Sequence, residues 1–91
     1  MAPQVRDRLE LYAAIAARDA RAMLSRGRAL LEKGPGEFGD DWGRYLLFTA
    51  MVGAHASGEA AEARRLWGAY GSKLYPSGVI PPFIAYVNNL N

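Results

Sequence analysis

The side chains that most often carry chemistry in proteins are scarce in this sequence. His55 is the single histidine among 91 residues, and there is no cysteine. The sequence therefore has no thiol nucleophile, no thiolate metal ligand and no disulfide. Glu59 is the one carboxylate close enough along the chain to join His55, and two ligands are too few for a metal site. We expect no metal and no cofactor, with His55 partly exposed near a helix end.

An acidic cluster brings Glu37 close to Asp40 and Asp41 in a glycine-rich stretch. Oxygen ligands suit calcium, but the alternating spacing of a calcium-binding loop is missing. We therefore expect one aspartate to cap a helix start and the other carboxylates to be solvated near its positive end. The preceding Gly34-Pro35-Gly36 follows a predicted helix and does not precede one. It therefore indicates the end of that helix and not a phosphate-binding loop.

Arginine is concentrated in the first third of the chain. Residues 1–33 hold seven basic and four acidic side chains, against a net charge of +2 for the whole chain. Arg21, Ser25, Arg28 and Glu32 share the side of the second predicted helix that lies opposite its apolar stripe, which indicates a solvated outer face. No aromatic residues alternate with these arginines as stacking on single strands would require, so a nucleic-acid partner is not expected.

Length and composition predict one folded domain over residues 1–91. The chain is 51% hydrophobic and 22% charged, a balance typical of globular proteins. No apolar run near the N-terminus is long enough for a signal peptide. The longest one, residues 45–54, has about half the length that a membrane-spanning helix needs. We expect a cytoplasmic protein with no membrane partner, able to exist as a monomer.

Apolar residues recur at helical spacing in two pairs of segments. Helix 1 is predicted from residue 3 or 4 to residue 17, with an apolar stripe that Leu11 and Ile15 widen. Asp19 is expected to cap helix 2, which runs to Lys33. The stripe of helix 1 is Val5, Leu9, Tyr12 and Ala16, and that of helix 2 is Ala20, Met23, Leu24, Gly27, Leu30 and Leu31.

The second pair follows from about residue 42. Helix 3 has almost no polar face over residues 45–52 and should be the central helix. Ser57-Gly58 ends it, and helix 4 continues to Leu74. A short fifth helix is predicted over residues 81–90, because proline suits the first turn of a helix. The stripe of helix 4 is Ala60, Ala63, Trp67, Tyr70 and Leu74.

The two hairpins are offset by forty residues, and the second resembles a tetratricopeptide repeat. Gly58 stands at the turn, and Ala63 is the small residue near the start of the second helix, followed four positions later by an aromatic ring, Trp67. Helices 1 and 2 look like a weaker copy of this hairpin. Pro76, after the second hairpin, falls one position later than the proline of the family's pattern. The resemblance implies an all-α, right-handed array of two antiparallel hairpins, 4–33 and 42–74, with the C-terminal helix as a cap.

The resemblance also implies a role in binding proteins or peptides, with no catalytic residues. In such stacks the first helix of each pair lines the concave face, so helices 1 and 3 form the expected groove. Its partner-binding residues are Tyr12 and Tyr45, with Arg8 and Arg44 at the polar edge. The partner is a protein or peptide, and the chain is also compatible with a homo-oligomer or with part of a larger protein.

Two other functions remain open at the level of sequence. One is a small all-helical enzyme of the chorismate mutase sort, with arginine and glutamate side chains in a pocket between helices. The stripes instead direct alanine, leucine and aromatic residues inward. The other is a small-ligand pocket between helices 3 and 4, lined by Trp67, Tyr70 and Met51.

Overall fold

The computed structural model describes residues 3–34 and 39–75. This part of the chain is helical and contains no strand, so the all-α prediction is confirmed. The third helix begins three residues before the predicted start near residue 42. The fifth helix, predicted over residues 81–90, and Glu37 lie outside the described residues. The helices are α1, Pro3–Ala16; α2, Ala20–Lys33; α3, Gly39–Ala56; and α4, Ala60–Leu74.

One turn geometry occurs twice, between α1 and α2 and again between α3 and α4. Arg18 (φ 55°) and Gly58 (φ 79°) occupy its left-handed position. In both turns this residue donates its N–H to the carbonyl three residues back, and the next residue donates to the carbonyl five residues back, at 2.8–3.0 Å. These are the bonds of a Schellman motif, which satisfies carbonyls at a helix end. The repeat of forty residues thus extends to backbone hydrogen bonds.

The start of α2 follows the predicted capping. The Asp19 carboxylate accepts a hydrogen bond from the Ala22 N–H at 3.1 Å, which satisfies one of the free donors of the first turn. Glu59 precedes α4 in the equivalent place, and its side chain makes no capping bond. The two hairpins therefore share a turn but not a cap.

The core is centred on α3, which packs against α2 and against α4. Several α3 side chains are completely buried, at 0% exposure, so this helix is the central one, as predicted. From α2 the core receives Leu24 and Leu31, and from α4 it receives Ala63, Leu66 and Leu74. The completely buried hydrophobic residues of α3 are Leu46, Leu47, Ala50, Met51 and Ala54.

Glycines allow α2 and α3 to approach each other closely. A Cβ placed on Gly53 would lie 2.6 Å from the Ala20 carbonyl oxygen and 2.6 Å from the Leu24 nitrogen. A Cβ on Gly27 would lie 3.1 Å from that of Ala50. The backbones therefore meet at distances that a side chain at Gly53 would prevent.

Only the Leu11 and Ile15 side of the predicted α1 stripe packs against the core. Leu11 and Ala14 are buried, at 0% and 6% exposure, whereas Val5, Leu9 and Tyr12 are 43%, 50% and 38% exposed. The helix carries two apolar stripes, and the smaller one, Leu11 and Ala14, packs against the rest of the fold. The larger stripe faces outward.

The inner face of α4 also differs from the prediction. Leu66 and Gly71 are buried beside Ala63, while Trp67 and Tyr70 are only half-buried. A Cβ on Gly71 would lie 2.7 Å from the Trp67 indole, so this ring lies along its own helix, over a residue without a side chain. Leu66, which is not in the predicted stripe, is completely buried, whereas Trp67, which is in the stripe, is not.

Neither a membrane span nor a metal site is found in the described residues. None of the four helices is both long and apolar enough to cross a bilayer. Within residues 3–34 and 39–75, no three histidine, aspartate or glutamate side chains are grouped so as to hold a metal ion.

Candidate interaction surface

The large apolar side chains that are exposed in the described part of the chain all belong to α1 and α3. We call this surface the α1–α3 face. On α1 its members are four and three positions apart, and on α3 they are three apart, so each set lies along one side of its helix. Its members are Val5, Leu9, Tyr12, Tyr45 and Phe48, all 38–50% exposed.

Three aromatic rings hold the two helices of this face together. Trp42 and Tyr45, one turn apart on α3, are stacked with centroids 5.6 Å apart and planes at 15°. Tyr12 of α1 meets both rings edge-on, at 6.2 Å from Trp42 and 6.1 Å from Tyr45. Offset and edge-to-face pairs are the favoured arrangements of aromatic rings. The mutual contacts restrict the rotamers of the exposed Tyr12 and Tyr45 and of the half-buried Trp42.

Arg8 adds a positive charge to this cluster. Its Nη2 donates a hydrogen bond to the Tyr12 hydroxyl at 3.0 Å. The guanidinium carbon lies 4.9 Å from the centroid of the Trp42 ring and 5.8 Å from that of Tyr12, within the range of cation–π attraction. Stacking on the rings holds the guanidinium at the edge of the face.

An open depression runs along the outer side of α1. It measures about 260 Å³ and is lined by Val5, Arg8, Leu9 and Tyr12. Its walls are apolar apart from the Arg8 guanidinium and the Tyr12 hydroxyl. It therefore suits an apolar side chain of a partner that carries polar or negatively charged residues beside it.

Arg44 is positioned by other contacts. Its Nη1 donates to the Leu74 carbonyl at 2.9 Å, and its Nη2 pairs with Asp41. The guanidinium carbon lies 5.8 Å from the centroid of the Tyr75 ring. Arg44 thus connects the start of α3 to the end of α4, where a cation is favourable because the last carbonyls of a helix carry partial negative charge.

Of the four predicted partner-binding residues, the structure brings together Arg8, Tyr12 and Tyr45. It adds Trp42, a ring that the sequence analysis did not assign to the site. The spacing of Trp42 and Tyr45, one turn apart on the same helix, was a signal for their pairing. No comparable signal indicated that Arg44, next to Tyr45 in sequence, would face the end of another helix.

Two other regions of the described chain bear on a possible site. Met51, expected to line a ligand pocket between the third and fourth helices, is completely buried. A smaller depression of about 90 Å³ lies between α1 and α2. Its charged side chains form two ion pairs across the helices and so compensate one another. The pairs are Arg26–Glu10 at 2.6 Å and Lys33–Asp7 at 3.2 Å.

Arg28, predicted to be on the solvated outer face of α2, contacts α4 instead. It forms an ion pair with Glu62 at 3.3 Å, and Glu62 also accepts hydrogen bonds from Arg65 at 2.6 and 2.9 Å. The hydrogen bonds from Arg65, reinforced by Arg28, lower the pKa of Glu62 from its ordinary value despite the opposing effect of burial. The same contact raises the pKa of Arg65. These charges stabilise the packing of α2 near α4.

Comparison of the chain with protein-family models, with curated proteins and with solved structures finds no match.

Proposed function

We propose that this chain is a non-enzymatic, tetratricopeptide-like interaction module whose α1–α3 face binds a helix or peptide of a partner protein. In this proposal the two hairpins stack as a right-handed array, and a short C-terminal helix over residues 81–90 caps it. The identical turns, forty residues apart, support the repeat, as does the packing of α3 against both α2 and α4. The proposal keeps the cytoplasmic location expected from the cysteine-free sequence.

The exposed aromatic cluster is the observation that carries the proposal. Tyrosine, tryptophan and arginine contribute a large share of binding energy at protein interfaces. Here Tyr12, Trp42 and Tyr45 are held by one another before any partner arrives. A surface whose side chains are already ordered loses less conformational entropy on binding. The face is therefore suited to recognition.

The shape and charge of the face favour a helical partner with acidic flanks. The α1 stripe of Val5, Leu9 and Tyr12 has the spacing with which one helix packs along another. Arg6 and Arg8 lie beside this stripe, and the nearby Glu10 is paired with Arg26. An amphipathic helix whose apolar stripe is bordered by aspartate or glutamate would match both features.

The experiment is site-specific photo-crosslinking in the cells that express the chain. A photoreactive benzoylphenylalanine replaces Leu9 on the α1–α3 face or, as the matched control, Ser25 on the exposed side of α2. We expect a discrete adduct from position 9 and none from position 25, with the adduct lost when Tyr45→Ala is added. Mass spectrometry of the adduct identifies the partner segment, which is then titrated as a synthetic peptide.

Two outcomes would contradict the proposal. Adducts from position 25 alone would place the interface on the basic side of α2. Equal adducts from both positions, unaffected by Tyr45→Ala, would show that the aromatic cluster does not select the partner.

A further inference from the structure

The connection between α1 and α2 contains a left-handed residue that is not glycine. Residues 17–19 alone separate the two helices, and Arg18 has a φ of 55°. This conformation brings a Cβ close to the following carbonyl oxygen, so it is unfavourable for residues other than glycine. Arg18 is the one such residue in the described part of the chain. The packing of the two helices therefore holds this turn against its own conformational preference.

The same three residues are compatible with a continuous helix. Alanine and arginine are good helix formers, and the connection contains neither glycine nor proline. Straightening it would bring the last carbonyls of α1 to the first N–H groups of α2, which have no partners within their own helices. In the turn of the second hairpin Gly58 takes a φ of 79° without a Cβ, and glycine would weaken a continuous helix. Of the two turns, the first is therefore the one that favours straightening.

α1 is held by contacts that two chains can make as well as one. It packs against α2 less extensively than α3 does. Glu10 pairs with Arg26 at 2.6 Å and Asp7 pairs with Lys33 at 3.2 Å, each across the two helices. The buried Leu11 enters the core, and the ring contacts of α1 are with α3. In every case one partner is on α1 and the other is elsewhere, so an identical α1 from a second copy satisfies the same groups.

We propose that the chain exchanges α1 with a second copy, in a two-fold symmetric dimer in which residues 3–33 form one continuous helix. This helix would be about 46 Å long, which carries α1 beyond the reach of its own α2 and α3. α1 then packs on α2 and α3 of the other copy through the same ion pairs and ring contacts. Short connections under strain favour such an exchange.

The pairing of α1 with α2 predicts one contact that only the dimer makes. Glu10 and Arg26, which form an ion pair, each lie eight positions from Arg18 in the sequence. In the exchanged dimer the same pairing joins two copies, so the two-fold axis passes close to Arg18. Arg18 of one copy then lies beside Asp19 of the other, and Asp19 no longer caps α2 as it does in the monomer. The opposite charges are complementary across the axis.

Concentration decides between the two forms. Within one chain the short connection keeps α1 at an effective concentration of about 1 mM near its site, so the monomer predominates in dilute solution. Each dimer relieves two turns, which favours it in concentrated solution. The inference does not rest on the proposed function, because the dimer rebuilds each α1–α3 face with the α1 of the other copy.

The first test uses the natural chain in unlabelled and heavy-isotope-labelled forms. The two are mixed at about 1 mM and warmed close to the unfolding midpoint, so that α1 detaches. The dimer is isolated by size-exclusion chromatography with light scattering. A carbodiimide then joins amines to carboxylates in contact through an amide bond, taking up the water released. Lys33 and Asp7, 3.2 Å apart, are the expected pair, and about half of their crosslinked peptides should combine a light and a heavy chain.

The second test compares two substitutions at one position. Arg18→Gly should raise the dissociation constant of the dimer at least about a hundredfold, because glycine relieves the turn of the monomer and weakens the continuous helix at both connections. Arg18→Ala is the matched control: it removes the same charge but keeps the Cβ and the helix propensity, so the dissociation constant should rise less than about tenfold. Sedimentation equilibrium measures both.

Three outcomes would overturn the inference. The first is a dimer whose Asp7–Lys33 crosslinks all join peptides of the same isotope, since its copies would associate without exchanging α1. The second is a natural chain that stays monomeric after warming at about 1 mM. The third is an equal dissociation constant for Arg18→Gly and Arg18→Ala, because the left-handed turn would then not drive the exchange.

Discussion

Gly53 is the residue at which the backbones of α2 and α3 come closest. Gly53→Ala should destabilise the fold by about 1–3 kcal/mol, because its Cβ would lie 2.6 Å from two backbone atoms of α2 and the helices would have to separate. The free energy of unfolding from urea titration measures the effect. Gly68→Ala is the matched control: its Cβ meets nothing within 4 Å, so alanine should stabilise α4 by up to about 1 kcal/mol. A neutral Gly53→Ala variant would contradict the close approach.

Arg44 provides a prediction that separates structural from binding roles. Arg44→Gln should destabilise the chain by about 1 kcal/mol, since the charged hydrogen bond to the Leu74 carbonyl is weakened. Amide exchange at the end of α4 should become faster, while crosslinking from position 9 should persist. Tyr45→Ala, the neighbouring substitution, should leave amide exchange at the end of α4 unchanged and abolish crosslinking from position 9. Loss of the crosslink in Arg44→Gln would show that Arg44 belongs to the partner-binding surface after all.

The difference between Arg44 and Arg8 shows what sequence can establish at the scale of a residue. Helical spacing placed Arg8 near Tyr12, because residues four apart on a helix are neighbours. Arg44 pairs with Asp41 on its own helix, but the contact that turns it away from the face is with the Leu74 carbonyl, thirty positions away in the chain. Such a contact depends on how helix ends meet, which local spacing does not determine.

At the scale of elements, the two Schellman turns differ in the residue at their left-handed position. Both Arg18 and Gly58 adopt the left-handed backbone conformation. Arg18 does so although it has a Cβ, whereas Gly58 has none. Arg18→Gly should therefore stabilise the protein by about 1 kcal/mol, and Gly58→Arg should destabilise it by a similar amount. Thermal unfolding followed by circular dichroism measures both variants, with Arg21→Gly inside α2 as the control that should lower stability. Destabilisation by Arg18→Gly would contradict this account of the turn.

Element boundaries were largely predictable, but the inward face of α1 was not. Asp19, Gly34 and Gly58 carry local signals for helix starts and ends. α2 begins and ends, and α4 begins, where these signals predict. The spacing in α1 describes two apolar stripes equally well. Which one faces inward depends on how α1 packs against α2, and the spacing within α1 does not determine that packing.

At the scale of the whole molecule, Glu62 connects α4 to α2. The pKa of Glu62 is lowered in the fold, so its contribution to stability is fully present above its unfolded pKa, about 4.3, and is lost as the pH falls through the folded value. The stability difference between the natural chain and Glu62→Gln should thus be constant from pH 7 to about 5 and shrink at lower pH. Urea titrations across this range measure it.

Glu32→Gln is the control for this pH dependence, because it removes a carboxylate from the exposed side of α2. A difference between the natural chain and Glu62→Gln that persists unchanged to pH 3 would show that Glu62 acts through packing and not through its charge.

The close crossing of α2 and α3 has a consequence for folding kinetics. α2 and α3 share more contact than any other pair of described helices, so the firmest interface joins the hairpins to each other. Neither hairpin then has an independent nucleus, and folding should start in the middle of the chain and spread outward. Native-state hydrogen exchange should show one cooperative unit, with the slowest amides in α2 and α3 and fraying from α1. Because contacts within helices outnumber those between distant segments in the described part of the chain, the chain should also fold quickly for its size.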